Sequence, residues 1–127
     1  MNKIATAVKA TLTVLLLLVV FSTTAVAQEK DKFSEGAAAV TTQMKSKLSL
    51  NDGQYTKVLD INKTFLQQAA DAKAKGGTRV VMAKAMKAIK DRRDKKLKSV
   101  LNSTQYKVYK ANRTANYKKL RAFYEAQ

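Results

Sequence analysis

The 127-residue sequence contains no cysteine, no histidine, no proline and no tryptophan, and it sets nine acidic residues against 25 lysines and arginines. Without cysteine there is no disulfide, no thiolate nucleophile and no site for an N-terminal lipid-modified cysteine. Without histidine as well, a Ser-His-Asp triad and an ordinary zinc centre are excluded. The few carboxylates are scattered. Asp91 and Asp94 share a helix face, but they stand among Arg92, Arg93, Lys95 and Lys96 and read as surface salt-bridge partners. Gly76-Gly77 lacks the rest of a phosphate loop. The expectation is a protein that is not an enzyme and carries no metal and no cofactor.

Long apolar runs are also scarce. The one strongly apolar stretch lies between Leu12 and Phe21, shorter than the ~20 residues of a bilayer span. With Lys3 and Lys9 before it and Ala25-Val26-Ala27 after it, residues 1–27 read as a signal peptide cleaved after Ala27. The mature chain then has 23 basic residues, the 25 less Lys3 and Lys9, against nine acidic ones, a formal charge of +14.

In that mature chain Leu, Ile, Val and Phe number only 18, which with high charge is a signature of disorder. Fourteen alanines and clear helical spacing argue the other way. The reading is a helical but thinly cored domain that needs a second copy to bury enough apolar surface.

What the chain has in place of catalytic residues is a duplicated motif. Leu50-Asn51-Asp52-Gly53-Gln54-Tyr55 and Leu101-Asn102-Ser103-Thr104-Gln105-Tyr106 are both Leu-Asn-x-x-Gln-Tyr. Asparagine caps a helix by accepting from a first-turn N–H, and glutamine three residues on reaches back to the cap's own N–H. Leucine before the cap can pack on the tyrosine of the first turn as a hydrophobic staple. Each copy is therefore a helix start.

The pattern predicts four helices in an elongated hairpin arrangement. A lead-in at 28–33 precedes a first helix capped by Ser34 and weakened by Gly36, carrying Ala37, Val40, Met44 and Leu48. The second follows Asn51, carries Tyr55, Val58, Leu59, Phe65, Leu66, Ala69 and Ala72, and stops at Gly76-Gly77. Thr78 caps a third helix to Val100, whose stripe of Met82, Ala85, Met86, Ile89, Leu97 and Val100 is interrupted by the charged run 90–96. The fourth extends from Asn102 almost to Gln127, with Tyr106, Tyr109, Leu120, Phe123 and Tyr124 inward.

Basic residues crowd the third and fourth helices, a surface that attracts anionic partners at long range. Methionines beside them suit contact with many shapes. The candidate binding residues on this surface are Met82, Met86, Lys87, Ile89, Lys90, Arg92 and Arg93. The tyrosines at 106, 109, 117 and 124 read as packing between helices, since base stacking has meaning only with nucleic acid as partner.

The two Leu-Asn-x-x-Gln motifs resemble the Leu-Thr-x-x-Gln repeats of the Spy/CpxP-like periplasmic proteins of Gram-negative bacteria. The stretch Asp94 to Tyr106, with Leu97-Lys98-Ser99-Val100-Leu101 running into the second motif, is the closest match, within a resemblance covering Met44 to Phe123. Asparagine replaces the usual threonine and keeps the capping chemistry.

The resemblance implies a cradle-shaped all-helical homodimer in the periplasm, an ATP-independent chaperone that binds unfolded or aggregation-prone clients on a basic, partly apolar surface. Some relatives restrain an envelope-stress sensor kinase, so a regulator docking on the periplasmic domain of such a kinase is the alternative, with binding to an anionic polymer or surface a third. Export disfavours nucleic acid, and no stable membrane span is expected after cleavage. One branch of the family binds zinc, which the missing histidine and cysteine place in doubt here.

Overall fold

The computed structural model describes residues 32–125, and every regular element among them is helical. Helix α1 covers residues 32–48, α2 Asp52–Lys75, α3 Arg79–Val100 and α4 Ser103–Glu125. The predicted all-α, four-helix class is the observed one. At 1.5 Å per residue α2, α3 and α4 are each about 33–36 Å long. Residues 32 and 33 are already helical and Phe33 is buried, so Ser34 stands inside α1 and does not cap it. The rest of the expected lead-in, and the expected signal peptide with it, lie outside the described residues.

Each later helix starts as the sequence predicts. Asn51 Oδ1 accepts from the Gln54 N–H at 2.8 Å while Gln54 Oε1 accepts from the Asn51 N–H at 3.2 Å. Asn102 and Gln105 repeat the exchange at 2.8 and 3.0 Å. Thr78 Oγ1 accepts from the Val81 N–H. Gly76 and Gly77, at φ 65° and 114°, make the reversal between α2 and α3, a conformation side chains other than glycine adopt at a cost. Ser49 takes the left-handed conformation at φ 53°, closing α1 where glycine is the usual residue.

The core is contributed unequally. α1 supplies Phe33, Ala37, Val40, Met44 and Leu48, and α2 supplies Val58, Ile61, Phe65, Leu66 and Ala69. α4 adds Tyr109, Leu120 and Tyr124, whereas α3 adds only Ile89 and Leu97 among apolar side chains. Nothing in the first ten residues of α3 is buried; Val80 and Val81 are 65% and 54% exposed. The α3 backbone lies closer to α2 than to α4 along most of its length, and long side chains bridge the gap to α4.

Gly36 has a use that the sequence pattern did not show. It is buried where the Phe123 ring of α4 crosses α1, and a Cβ there would lie 2.6 Å from Phe123 Cγ. Gly36→Ala therefore forces the ring aside. Although alanine is the better helix former, the variant is expected to lose about 1–3 kcal/mol through overpacking, seen as a lower urea midpoint. A neutral or stabilised variant would show that α1 and α4 separate freely.

Candidate binding groove and the polar network beneath it

Arg93 is the organising residue of the interior. It sits one turn from Ile89 and one from Leu97 on the buried face of α3 and is 2% exposed. Its Nε and Nη2 donate to Asn62 Oδ1 at 3.0 and 2.8 Å, and Nη1 donates to the Tyr109 hydroxyl at 2.9 Å. The guanidinium carbon lies 5.2–5.5 Å from the ring centres of Phe65, Tyr109 and Tyr117. Asn62 passes the chain on to Thr41 Oγ1, which donates to Ala37 O. Side chains from all four helices thus share one buried polar chain.

Its negative pole is Asp94. Oδ1 accepts from the Tyr109 and Tyr117 hydroxyls at 2.7 and 2.9 Å, and Oδ2 accepts from Arg113 Nη1 at 2.9 Å. The carboxylate expected on the surface is only 15% exposed. Arg93 and Asp94 make no ion pair with each other; the Tyr109 hydroxyl, accepting from one and donating to the other, joins the two charges.

Burial pushes the Tyr109 hydroxyl far above its ordinary range against the opposing pull of Arg93, and burial also raises Tyr117 and Tyr124. The folded chain keeps these protons at a pH where unfolded tyrosine, with a pKa near 10, loses them. The native state then binds more protons than the unfolded state, so this stabilisation is complete below about pH 10 and declines as pH rises further. Urea midpoints of the wild type are expected to fall more steeply with alkaline pH than those of Tyr109→Phe. Equal slopes would contradict the assignment.

Next to this network, between the early part of α3, the end of α4 and the end of α2, lies an open groove of about 950 Å³. Its apolar lining is Ala69, Met82, Ala83, Met86, Tyr117 and Tyr124; Lys73, Lys90, Lys118 and Arg121 stand among them as cations. Lys73 Nζ donates to Glu125 O, and Arg121 Nε donates to Glu125 Oε1. Lys90 Nζ sits 5.0 Å from the Tyr117 ring centre. Among the described residues neither Lys90 nor Lys118 has a carboxylate partner.

The groove gathers three of the seven sequence candidates, Met82, Met86 and Lys90. Lys87 is exposed outside it, and Arg92 lines a shallower hollow between α2 and α3 with Val81, Ala85 and Gln68. Two candidates are corrected. Ile89, 4% exposed, and Arg93, 2% exposed, are core residues and offer almost no surface to a partner. Arg93 was grouped with the charged run, although its spacing of four from both Ile89 and Leu97 was the available signal. The α4 wall of the groove was missed because Tyr117, Lys118, Arg121 and Tyr124 mix core and surface positions.

Over residues 24–109, more than half of the chain, the sequence matches the model of a family described as "Domain of unknown function (DUF4890)". The chain belongs to that family. The matched span contains both Leu-Asn-x-x-Gln-Tyr motifs, Arg93 and the α3 side of the groove, while the α4 residues that line it lie beyond. No curated protein and no solved structure gives a significant match. Membership carries no activity with it, and the likeness to Spy/CpxP-like proteins rests on the duplicated motif, its placement between helices, the basic charge and the expected export signal. Among the described residues no helix is long and apolar enough to cross a membrane, and no three acidic, histidine or cysteine side chains gather as metal ligands.

Proposed function

We propose that the protein is an ATP-independent chaperone of the periplasm that holds unfolded or aggregation-prone envelope proteins. The observation that carries the reading is the groove: an apolar floor of methionine, alanine and tyrosine set among four cations, on the side of α3 that contributes least to the core. Cations attract acidic clients at long range, and methionine adapts to varied apolar shapes once they arrive. The duplicated motif and the basic charge, which resemble those of Spy/CpxP-like proteins, support the same reading and extend it to a homodimer.

The test is aggregation of a chemically unfolded client followed by light scattering, with the mature chain added at equal molar amounts. Suppression that weakens with salt and with Met82→Ser/Met86→Ser is expected. A client that aggregates unchanged in the presence of the folded wild type would sink the reading.

A further inference from the structure

We propose that the groove between α3 and α4 receives its client segment as an amphipathic helix with acidic flanks, not as extended chain. This rests on reading the groove as the client surface, and adds the form and charge of what binds there.

Length sets the first constraint. The α3 wall from Met82 to Lys90 spans about 12 Å and the α4 wall from Thr114 to Glu125 about 17 Å at 1.5 Å per residue. That accommodates roughly 8–11 residues of helix but only about four or five extended residues at 3.3 Å each.

Hydrogen bonding sets the second. All three walls are helices whose interior backbone groups are already paired, so no strand edge is available to an extended chain. Four of the side chains facing the space are ammonium or guanidinium groups, which donate and cannot accept, while Thr114, Tyr117, Tyr124 and Glu125 carry the acceptors. On Glu125, Oε1 accepts from Arg121 and the backbone carbonyl from Lys73. Extended backbone N–H groups laid on the methionine and alanine floor meet thioether and methyl groups, and the few side-chain acceptors around it cannot pair a whole strand. A helix arrives with its backbone groups already paired.

Shape and charge agree. Met82, Met86 and Lys90 recur at every fourth residue, as do Tyr117, Arg121 and Glu125, giving ridges of the kind that interdigitate with another helix. Ala83, small and exposed on the α3 wall, leaves room for close approach. Lys90 and Lys118, without carboxylate partners among the described residues, call for acids on the flanks of the incoming helix. Excess positive charge on the chain makes a second copy a poor occupant of this same groove.

Three labelled synthetic peptides test this against the full mature chain by fluorescence anisotropy. One is an acidic amphipathic peptide of about 12 residues held helical by a side-chain staple. The second has the same composition with its helix broken by two central prolines, and the third is the stapled peptide with lysine for glutamate. The stapled acidic peptide is expected to bind at least about tenfold tighter than either control. That preference should be lost in Lys118→Glu, at an exposed position, and in Met86→Asp, at a half-buried position against the core, both checked for unchanged helicity by circular dichroism.

Equal binding of stapled and broken acidic peptides, with aggregation still suppressed, overturns the helical form and leaves the chaperone reading standing. Failure to suppress aggregation at all removes the reading beneath it. Binding of anionic lipid vesicles that depends on Met86, with no peptide binding, overturns the proposal in favour of a lipid ligand. Dissociation of a dimer by Met86→Asp overturns it in favour of a second copy.

Discussion

Arg93→Ala is expected to destabilise the protein by about 3–5 kcal/mol, the range seen when one member of a buried charged network is removed. The loss has separable sources. Asn62 Oδ1, which is fully buried, loses both donors, and the Tyr109 hydroxyl loses its own. Asp94 keeps Arg113 but loses the buried cation linked to it through Tyr109. Three aromatic rings also lose the guanidinium they surround.

A companion variant separates network loss from loss of volume. Arg93→Met combined with Asn62→Leu removes the cation and its principal acceptor together and restores apolar contact, so it is expected to recover most of the stability. Urea unfolding of Arg93→Ala, Arg93→Met and the double variant reads this directly. If the double variant is no more stable than Arg93→Ala, the network is not what holds this part of the core.

Gln105→Glu is the second large effect, and it separates what the motif does alone from what its two copies do together. In a capping box glutamate serves as well as glutamine, because only a side-chain oxygen is needed to accept the cap N–H. Here each glutamine does more. Gln54 Nε2 donates to Gln105 Oε1 at 2.8 Å and to Val100 O at 3.2 Å. Gln105 Nε2 donates to Gln54 Oε1 at 3.1 Å and to Leu48 O at 3.2 Å. The two motifs face each other, and each amide uses both hydrogens and accepts twice.

A carboxylate at 105 keeps the cap but donates nothing. It turns an oxygen toward Gln54 Oε1 and leaves Leu48 O without that donor. At about 1 kcal/mol for each lost bond, and more for unpaired buried groups, Gln105→Glu is expected to cost about 2–4 kcal/mol, close to Gln105→Ala. Gln54→Ala combined with Gln105→Ala should lose less than the sum of the single variants, since the pair shares its bonds. If Gln105→Glu matches the wild type, the motifs act only as separate caps.

The helix starts were legible because capping is local: the groups that satisfy the first-turn N–H groups lie within a few residues of one another. Asn51, Thr78 and Asn102 all do what their types and spacings predict. The stop at Gly76-Gly77 has the same origin, a backbone conformation that glycine tolerates. Ser34 failed as a cap for a tertiary reason. Phe33 gains a place in the core by extending the helix toward the N-terminus, and packing overrides a local preference of about 1 kcal/mol.

The motif's tyrosines diverged through packing too. Tyr55 reaches α1, where its hydroxyl lies 3.3 Å from Thr42 Oγ1 and Lys45 sits over its ring, whereas Tyr106 lies beside Tyr109 and Lys98. Identical residues in identical local settings took different neighbours because the helices around them differ.

Composition, periodicity and capping were enough to establish four helices, the starts of the last three and the absence of histidine and cysteine chemistry, since each follows from residue type and near spacing. Only tertiary structure decided that Arg93 is interior, that Asp94 is its distant counter-charge, and that the two repeats meet through Gln54 and Gln105. It also decided that Met82, Met86 and Lys90 share a groove with the end of α4. Those outcomes join residues from helices far apart in sequence. Whether a charged side chain faces water or a ring of tyrosines depends on which helix lies opposite, and helical periodicity carries no record of that.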